Sequence, residues 1–266
     1  MLPADQGRAG AEPPVEVVRP DAATPVVLVC EHASNRFPAE FGDLGIGPEV
    51  ARSHVAWDPG ARAVAVAVSE AMDAPLVAST VSRLVYDCNR PPDAPDAMPA
   101  ESEIFEIPGN RNLDQAERNA RIRSVYMPFK TALEAQIRRA AGARALVTIH
   151  SFTPVYRGET RRTEIGVLHD TDSRLADLLL ASAARHTPRL VERNAPYAPA
   201  DGVTHTLQQH ALTAGLPNVM LEIRNDLIAS PAQQQALAAM LTGWLAEALG
   251  QLGLQVNTNP KRGTGG

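Results

Sequence analysis

The chain has 266 residues, 44% of them hydrophobic, and a formal net charge of −5. That length fits one large α/β domain with a sizeable core, and the acidic balance excludes a general nucleic-acid or anionic-membrane binder, which needs a basic excess. Two cysteines, Cys30 and Cys88, make no disulfide framework, no segment reaches the ~20 continuous apolar residues of a membrane span, and the N-terminus lacks a signal-peptide pattern, so a cytoplasmic protein is expected.

Residues 1–24 are rich in Pro, Ala, Gly and charge without a hydrophobic period, so a disordered arm is expected there. The domain itself is expected over residues 25–254, with a flexible tail over 255–266. The first strand, Val26–Cys30, runs into Glu31-His32-Ala33-Ser34-Asn35. Pro48 is placed for the first turn of a short helix. Pro59 is placed likewise for a second helix reaching Met72, with Asp58 as its N-cap. A strand follows at Leu76–Ser79, and Leu84-Val85-Tyr86 reads as another that runs into Asp87-Cys88-Asn89-Arg90. Residues 91–112 hold several prolines and no period, which marks a long functional or mobile loop.

A long helix is expected from Asp114 to Ala141, because Ile122, Val125, Phe129, Leu133 and Ile137 recur at helical spacing. Ala145-Leu146-Val147-Thr148-Ile149 is a buried strand that delivers His150. Next come a strand at 164–168, a helix at 173–184, a short strand at 190–192 and a helix at 204–214 stopped by Gly215. Asn218-Val219-Met220-Leu221 runs into Glu222-Ile223-Arg224-Asn225-Asp226, and a helix at 231–249 closes the chain with Ser230 as N-cap. Alternating strands and helices predict a single α/β domain with a mainly parallel sheet covered on both faces.

Four strand-like runs thus end in His, Glu, Asn or Arg, and ligands in such sheets sit beyond the carboxyl ends of the strands. His32 and His150 are the metal candidates, since a hydrolytic zinc site uses three N/O ligands and one open position. The third ligand stays open between Asp58 and Glu31, and helix capping alone would account for Asp58. Glu222 follows an apolar run, so burial should raise its pKa into the range of a general base. An ion pair with Arg224, on the same strand face, is the competing reading. Arg83, Asn89 and Arg90 form a candidate carboxylate clamp at an irregular turn enforced by Pro91 and Pro92. These are the parts of a metal-assisted hydrolase for a small anionic substrate.

The motifs Glu31-His32-Ala33-Ser34-Asn35, Trp57-Asp58-Pro59-Gly60-Ala61, 82–91 (Ser82 to Pro91), Ile149-His150-Ser151-Phe152 and Glu222-Ile223-Arg224-Asn225-Asp226 together resemble the N-formylglutamate amidohydrolase family, over about residues 25–249. More distantly the chain resembles the zinc carboxypeptidases. His32, His150, Asn89 with Arg90, and Glu222 fall at that family's positions for metal, substrate carboxylate and catalytic Glu. Asn35 departs from it, standing where that family has a metal-binding Glu, which turns the third ligand toward Asp58, with Glu31 second.

The resemblance implies a carboxypeptidase-like fold with a mixed sheet and a Zn²⁺ ion or another divalent metal on His32, Asp58 and His150. It implies hydrolysis of N-formyl-L-glutamate to formate and L-glutamate, a late step of histidine breakdown. Glu222 would be the base and Arg83 the oxyanion donor. Asn89 and Arg90 would hold the α-carboxylate, and Arg224 a second carboxylate. No nucleic-acid or membrane partner is expected, and the chain should act as a monomer or homodimer. Two other readings fit the same parts: an amidase or peptidase for another N-acyl amino acid or a peptidoglycan fragment, and a non-catalytic binding protein on this fold. A substrate panel separates the first, and metal content the second.

Overall fold

The β-branched runs of the sequence pair with one another in the middle of one sheet. The computed structural model describes residues 12–139 and 145–258. In chain order they form β1 (Val15–Val18), β2 (Val26–Cys30), α1 (Pro48–Arg52), α2 (Ala61–Met72), β3 (Leu76–Ser79), a hairpin of β4 (Glu101–Ser102) and β5 (Phe105–Glu106), α3 (Gln115–Arg121) and α4 (Met127–Arg139). Then come β6 (Ala145–Phe152), a hairpin of β7 (Val155–Tyr156) and β8 (Glu159–Thr160), β9 (Ile165–Leu168), α5 (Arg174–His186), β10 (Val191–Arg193), β11 (Asn218–Arg224) and α6 (Pro231–Gln251). No helix among them is long and apolar enough to cross a membrane.

The seven-stranded sheet has the order β1-β3-β2-β6-β11-β9-β10. β3, β2, β6 and β11 run parallel, while β1 and the β9–β10 pair run against them, so the sheet is mixed. Side chains alternate between its faces. Leu28, Val147, Ile149 and Leu221 point to one face and pack with α2, α5 and α6. Val29, Leu146 and Met220 point to the other, toward α4 and the long connections. On that second face the alternation continues to Glu31, His150 and Glu222, and His150 stands directly beside Glu222 in register.

Most expected elements form, and several differ. Val15–Val18 leaves the expected unstructured arm to pair as an edge strand with β3. Leu84-Val85-Tyr86 is buried but is a turn, because the Val85 and Tyr86 N–H groups both bond back to the Ser82 carbonyl. The helix after Asp58 begins at Ala61 with Gly60, at φ 83°, as its N-cap, so the Asp58 carboxylate is free to turn elsewhere. The long helix starts as expected, with Asp114 and Glu117 forming a capping box, but passes through a π-type turn at Ile122–Tyr126. Its expected last residues, Ala140 and Ala141, lie outside the described residues, as do residues 1–11 and 259–266. Within 91–112, the β4–β5 hairpin replaces the expected featureless loop. Ser230 and Gly215 cap as expected.

Gly166 permits one close crossing. It sits opposite Glu222 in the β9–β11 pair, and a Cβ there would lie 2.0 Å from the Ala195 carbonyl oxygen. Only a residue without a side chain lets the segment that leads to Tyr197 cross the sheet at that point. Gly166→Ala should therefore displace the segment and lower stability by about 1–3 kcal/mol, the usual range for overpacking. Denaturant unfolding checks this, and an unchanged midpoint would mean that the crossing segment yields freely.

Candidate active site

Three ligand-type atoms converge where β2, β6 and the 56–60 turn meet. Asp58 Oδ2 lies 2.9 Å from His150 Nδ1 and 3.3 Å from His32 Nδ1, and the two Nδ1 atoms are 3.2 Å apart. All three side chains are buried. They are the group found among the described residues whose donor atoms are close enough to hold a metal ion. Atoms bound at 2.0–2.1 Å in tetrahedral array lie roughly 3.3–3.4 Å apart, so the spacing fits one. The backbone fixes the arrangement: the Asp58 N–H donates to the His32 carbonyl at 2.9 Å, and the Ser151 N–H donates to Asp58 Oδ2 at 3.2 Å.

Each imidazole is backed on its far side by a carboxylate. His32 Nε2 is 2.7 Å from Asp87 Oδ1, and His150 Nε2 is 3.0 Å from Glu31 Oε2. The second contact is close in distance but is not aligned as a hydrogen bond. Carboxylates in these positions favour a proton on Nε2 and leave the Nδ1 lone pairs pointing at Asp58. Glu31 thus stands behind His150 instead of joining the three converging atoms. Asn35 is turned away, its amide donating to the Ala51 carbonyl at 2.9 Å.

The electrostatics follow from this crowding. Burial pulls both histidines down, and Arg83 pulls His32 down further. Asp87 and Asp58 outweigh these effects at His32, and Glu31 and Asp58 outweigh burial at His150, so both are held above the usual histidine range. Burial pushes Asp87 up, but Arg83 and His32 hold it well below the usual carboxylate range. Glu222 goes the other way: burial pushes it up to about 7, with His150 opposing and Asp58 adding. Its Oε2 has no hydrogen-bond partner among the described residues. The competing ion pair with Arg224 does not form, because Arg224 Nε binds Asp226 Oδ1 at 2.8 Å.

One cavity is lined by His32, Asp58, Arg83, Asn89, Arg90, His150 and Glu222. Arg83 reaches it while donating to Asp87 Oδ2 at 2.7 Å. Arg90 reaches it while its Nε holds Asp96 at 2.6 Å, which leaves its Nη2 without a partner among the described residues. Two expected substrate contacts hold partners within the chain. Arg224 lies outside the cavity lining, held by Asp226. Asn89 uses both ends of its amide on the chain, donating to the Val203 carbonyl at 2.6 Å and accepting from the Thr206 N–H at 2.9 Å. It ties the 203–206 segment to the site. Sequence reasoning missed Asp87, whose signal was a carboxylate directly after a buried apolar run. It also missed the cavity residues His54, Glu103, Tyr156 and Tyr197, which had none.

The family model for N-formylglutamate amidohydrolase matches residues 24–229. The chain belongs to the N-formylglutamate amidohydrolase family. It is therefore an amidohydrolase. A gene product of Agrobacterium tumefaciens with a known crystal structure is 53% identical, covering 91% of this chain and 97% of its own, with a TM-score of 0.88. The N-formylglutamate amidohydrolase of Ralstonia eutropha JMP134 is 22% identical, covering 87% of this chain and 97% of its own, with a TM-score of 0.63; at that identity it supports the fold alone. Among curated proteins none matches the chain.

Within this amidohydrolase the bracing bonds of Asn89 can be tested. Asn89→Ala strands the buried Thr206 N–H, and an unsatisfied buried group costs about 1–3 kcal/mol. The expected result is a lowered melting temperature. An unchanged melting temperature with a raised KM would return Asn89 to substrate binding.

Proposed function

We propose that the protein hydrolyses the formamide bond of N-formyl-L-glutamate, releasing formate and L-glutamate, with a divalent metal, zinc, held by His32, Asp58 and His150. The observation that carries this reading is the convergence of those three donors beside Glu222, the register partner of His150. The donor set of two imidazoles and one carboxylate suits zinc. The chemistry such an ion supplies when bound is Lewis acidity, which polarises the formyl carbonyl and lowers the pKa of water.

The protein groups do the remaining work. Glu222 accepts a proton from the attacking water and delivers it to the departing amine nitrogen. Its burial suits it to that transfer, since desolvation raises its affinity for the proton above that of an exposed carboxylate. Water adds to the formyl carbon, the C–N bond breaks, and formate leaves. Arg83, held by Asp87 at the cavity wall, donates to the oxyanion as it develops. Arg90 receives the substrate α-carboxylate through its Nη2, which has no partner among the described residues. Asp87 and Glu31 orient the two imidazoles.

Loss of a ligand and loss of the base should leave different remains. His32→Ala and His150→Ala should lose bound metal and hydrolysis together. Asp58→Asn should weaken metal binding much more than Glu31→Gln does, as read by chelator titration, and the reverse order would move the third ligand to Glu31. Glu222→Gln should stay folded and metal-loaded while kcat falls on the order of 10²–10⁴-fold, the range for a lost acid–base group. Metal content, melting temperature and kcat measured on one preparation separate these cases. Near-normal kcat in Glu222→Gln would remove the general-base assignment.

A further inference from the structure

A glutamate-derived substrate carries a second carboxylate on its side chain, and the arginines near the cavity differ in what they already hold. Arg83 faces Asp87 and Asp58, and Arg90 faces Asp96. Arg161 has no carboxylate partner among the described residues. Its guanidinium lies 4.4 Å from the Tyr156 ring, 4.7 Å from the Tyr197 ring and 5.7 Å from the Phe152 ring. All three rings line the same cavity as His150 and Glu222, while Arg161 itself is not among the lining residues and meets the cavity through these rings and the Tyr197 hydroxyl. Arg161 Nη1 donates to the Tyr197 hydroxyl at 2.9 Å, while its Nε and Nη2 have no acceptor among the described residues.

Aromatic faces stabilise a guanidinium and hold its plane, but they leave its charge uncompensated. An unpaired charge in a half-buried place is unfavourable until an anion meets it. The surrounding structure holds this one in position. Arg224 Nη1 donates to the carbonyls of Arg161 and Arg162 at 3.3 and 3.4 Å, which fixes the backbone that carries it. Gly166 lets the segment bearing Tyr197 cross the sheet beside Glu222. We propose that Arg161, with the Tyr197 hydroxyl, forms the subsite that binds the side-chain carboxylate and so selects dicarboxylic N-formyl amino acids. This rests on the deformylase reading for its substrate, but the subsite can be tested apart from it.

The test uses the full-length, zinc-loaded protein and two paired comparisons: kcat/KM for N-formyl-L-glutamate against N-formyl-L-glutamine, and calorimetric affinity for L-glutamate against L-glutamine. Each pair differs only in the side-chain carboxylate. The wild type should favour the dicarboxylate by about 10–100-fold, the worth of hydrogen bonds to a charged group. Arg161→Gln should bring both ratios near one by lowering the dicarboxylate values most, and Tyr197→Phe should reduce them in part. A wild type that does not discriminate overturns the subsite, with no variant needed. So does an Arg161→Gln that loses both substrates equally, which is what mere bracing of the rings would give. If no formyl substrate is turned over but L-glutamate still binds tighter than L-glutamine through Arg161, the deformylase reading fails and the subsite stands.

Discussion

Two imidazole nitrogens face each other 3.2 Å apart in a buried place, with an aspartate oxygen beside both. Those two nitrogens cannot both carry protons, and four buried carboxylates, Glu31, Asp58, Asp87 and Glu222, crowd around them, with Arg83 and, farther out, Arg90 as permanent cations of the cavity. Burying like charges together is unfavourable unless positive charge is supplied among them. The rest of the site is organised by that constraint. Asp87 and Glu31 take the far nitrogens of the rings, so the near nitrogens keep lone pairs directed at one point. A divalent cation at that point would balance the cluster and use the same lone pairs.

The sheet turns this constraint into fixed geometry. β6 and β11 are adjacent parallel strands with His150 and Glu222 as register partners, so these two groups share a face without help from mobile loops. Asp58 comes from a turn rather than a strand, but it is bonded to both sides: its N–H to the His32 carbonyl, its carboxylate to the Ser151 N–H. Groups on rigid, doubly anchored elements stay within the tolerances catalysis needs. The other end of the cavity is built differently. There the wall comes from the 155–160 hairpin, the Arg161 ring cluster and the segment carrying Tyr197. A scaffold with its chemical end on strands and a wall made of connections can change substrate by changing the connections alone.

The sequence by itself determined the central strands, the closing and long helices, and the chemical types at the site. Val26–Cys30 and Ala145–Phe152 are legible because unbroken β-branched runs have few other homes than the inside of a sheet. His32, His150 and Glu222 were legible because polar residues closing such runs must emerge at one edge. What only the tertiary structure decided was the direction and partner of each polar side chain. Glu31 and Asp58 are alike as carboxylates, yet one backs an imidazole and the other meets its near nitrogen, a choice set by strand parity and the position of the 56–60 turn. Arg224 binds Asp226 two residues on, Asn89 braces a segment more than a hundred residues away, and Arg161 is placed by two rings of the 152–156 stretch and by the distant Tyr197. Local pattern records burial and periodicity, but the pairings of Glu31, Asp58, Asn89 and Tyr197 depend on distances between segments far apart in the chain, which exist only after the sheet has closed its register.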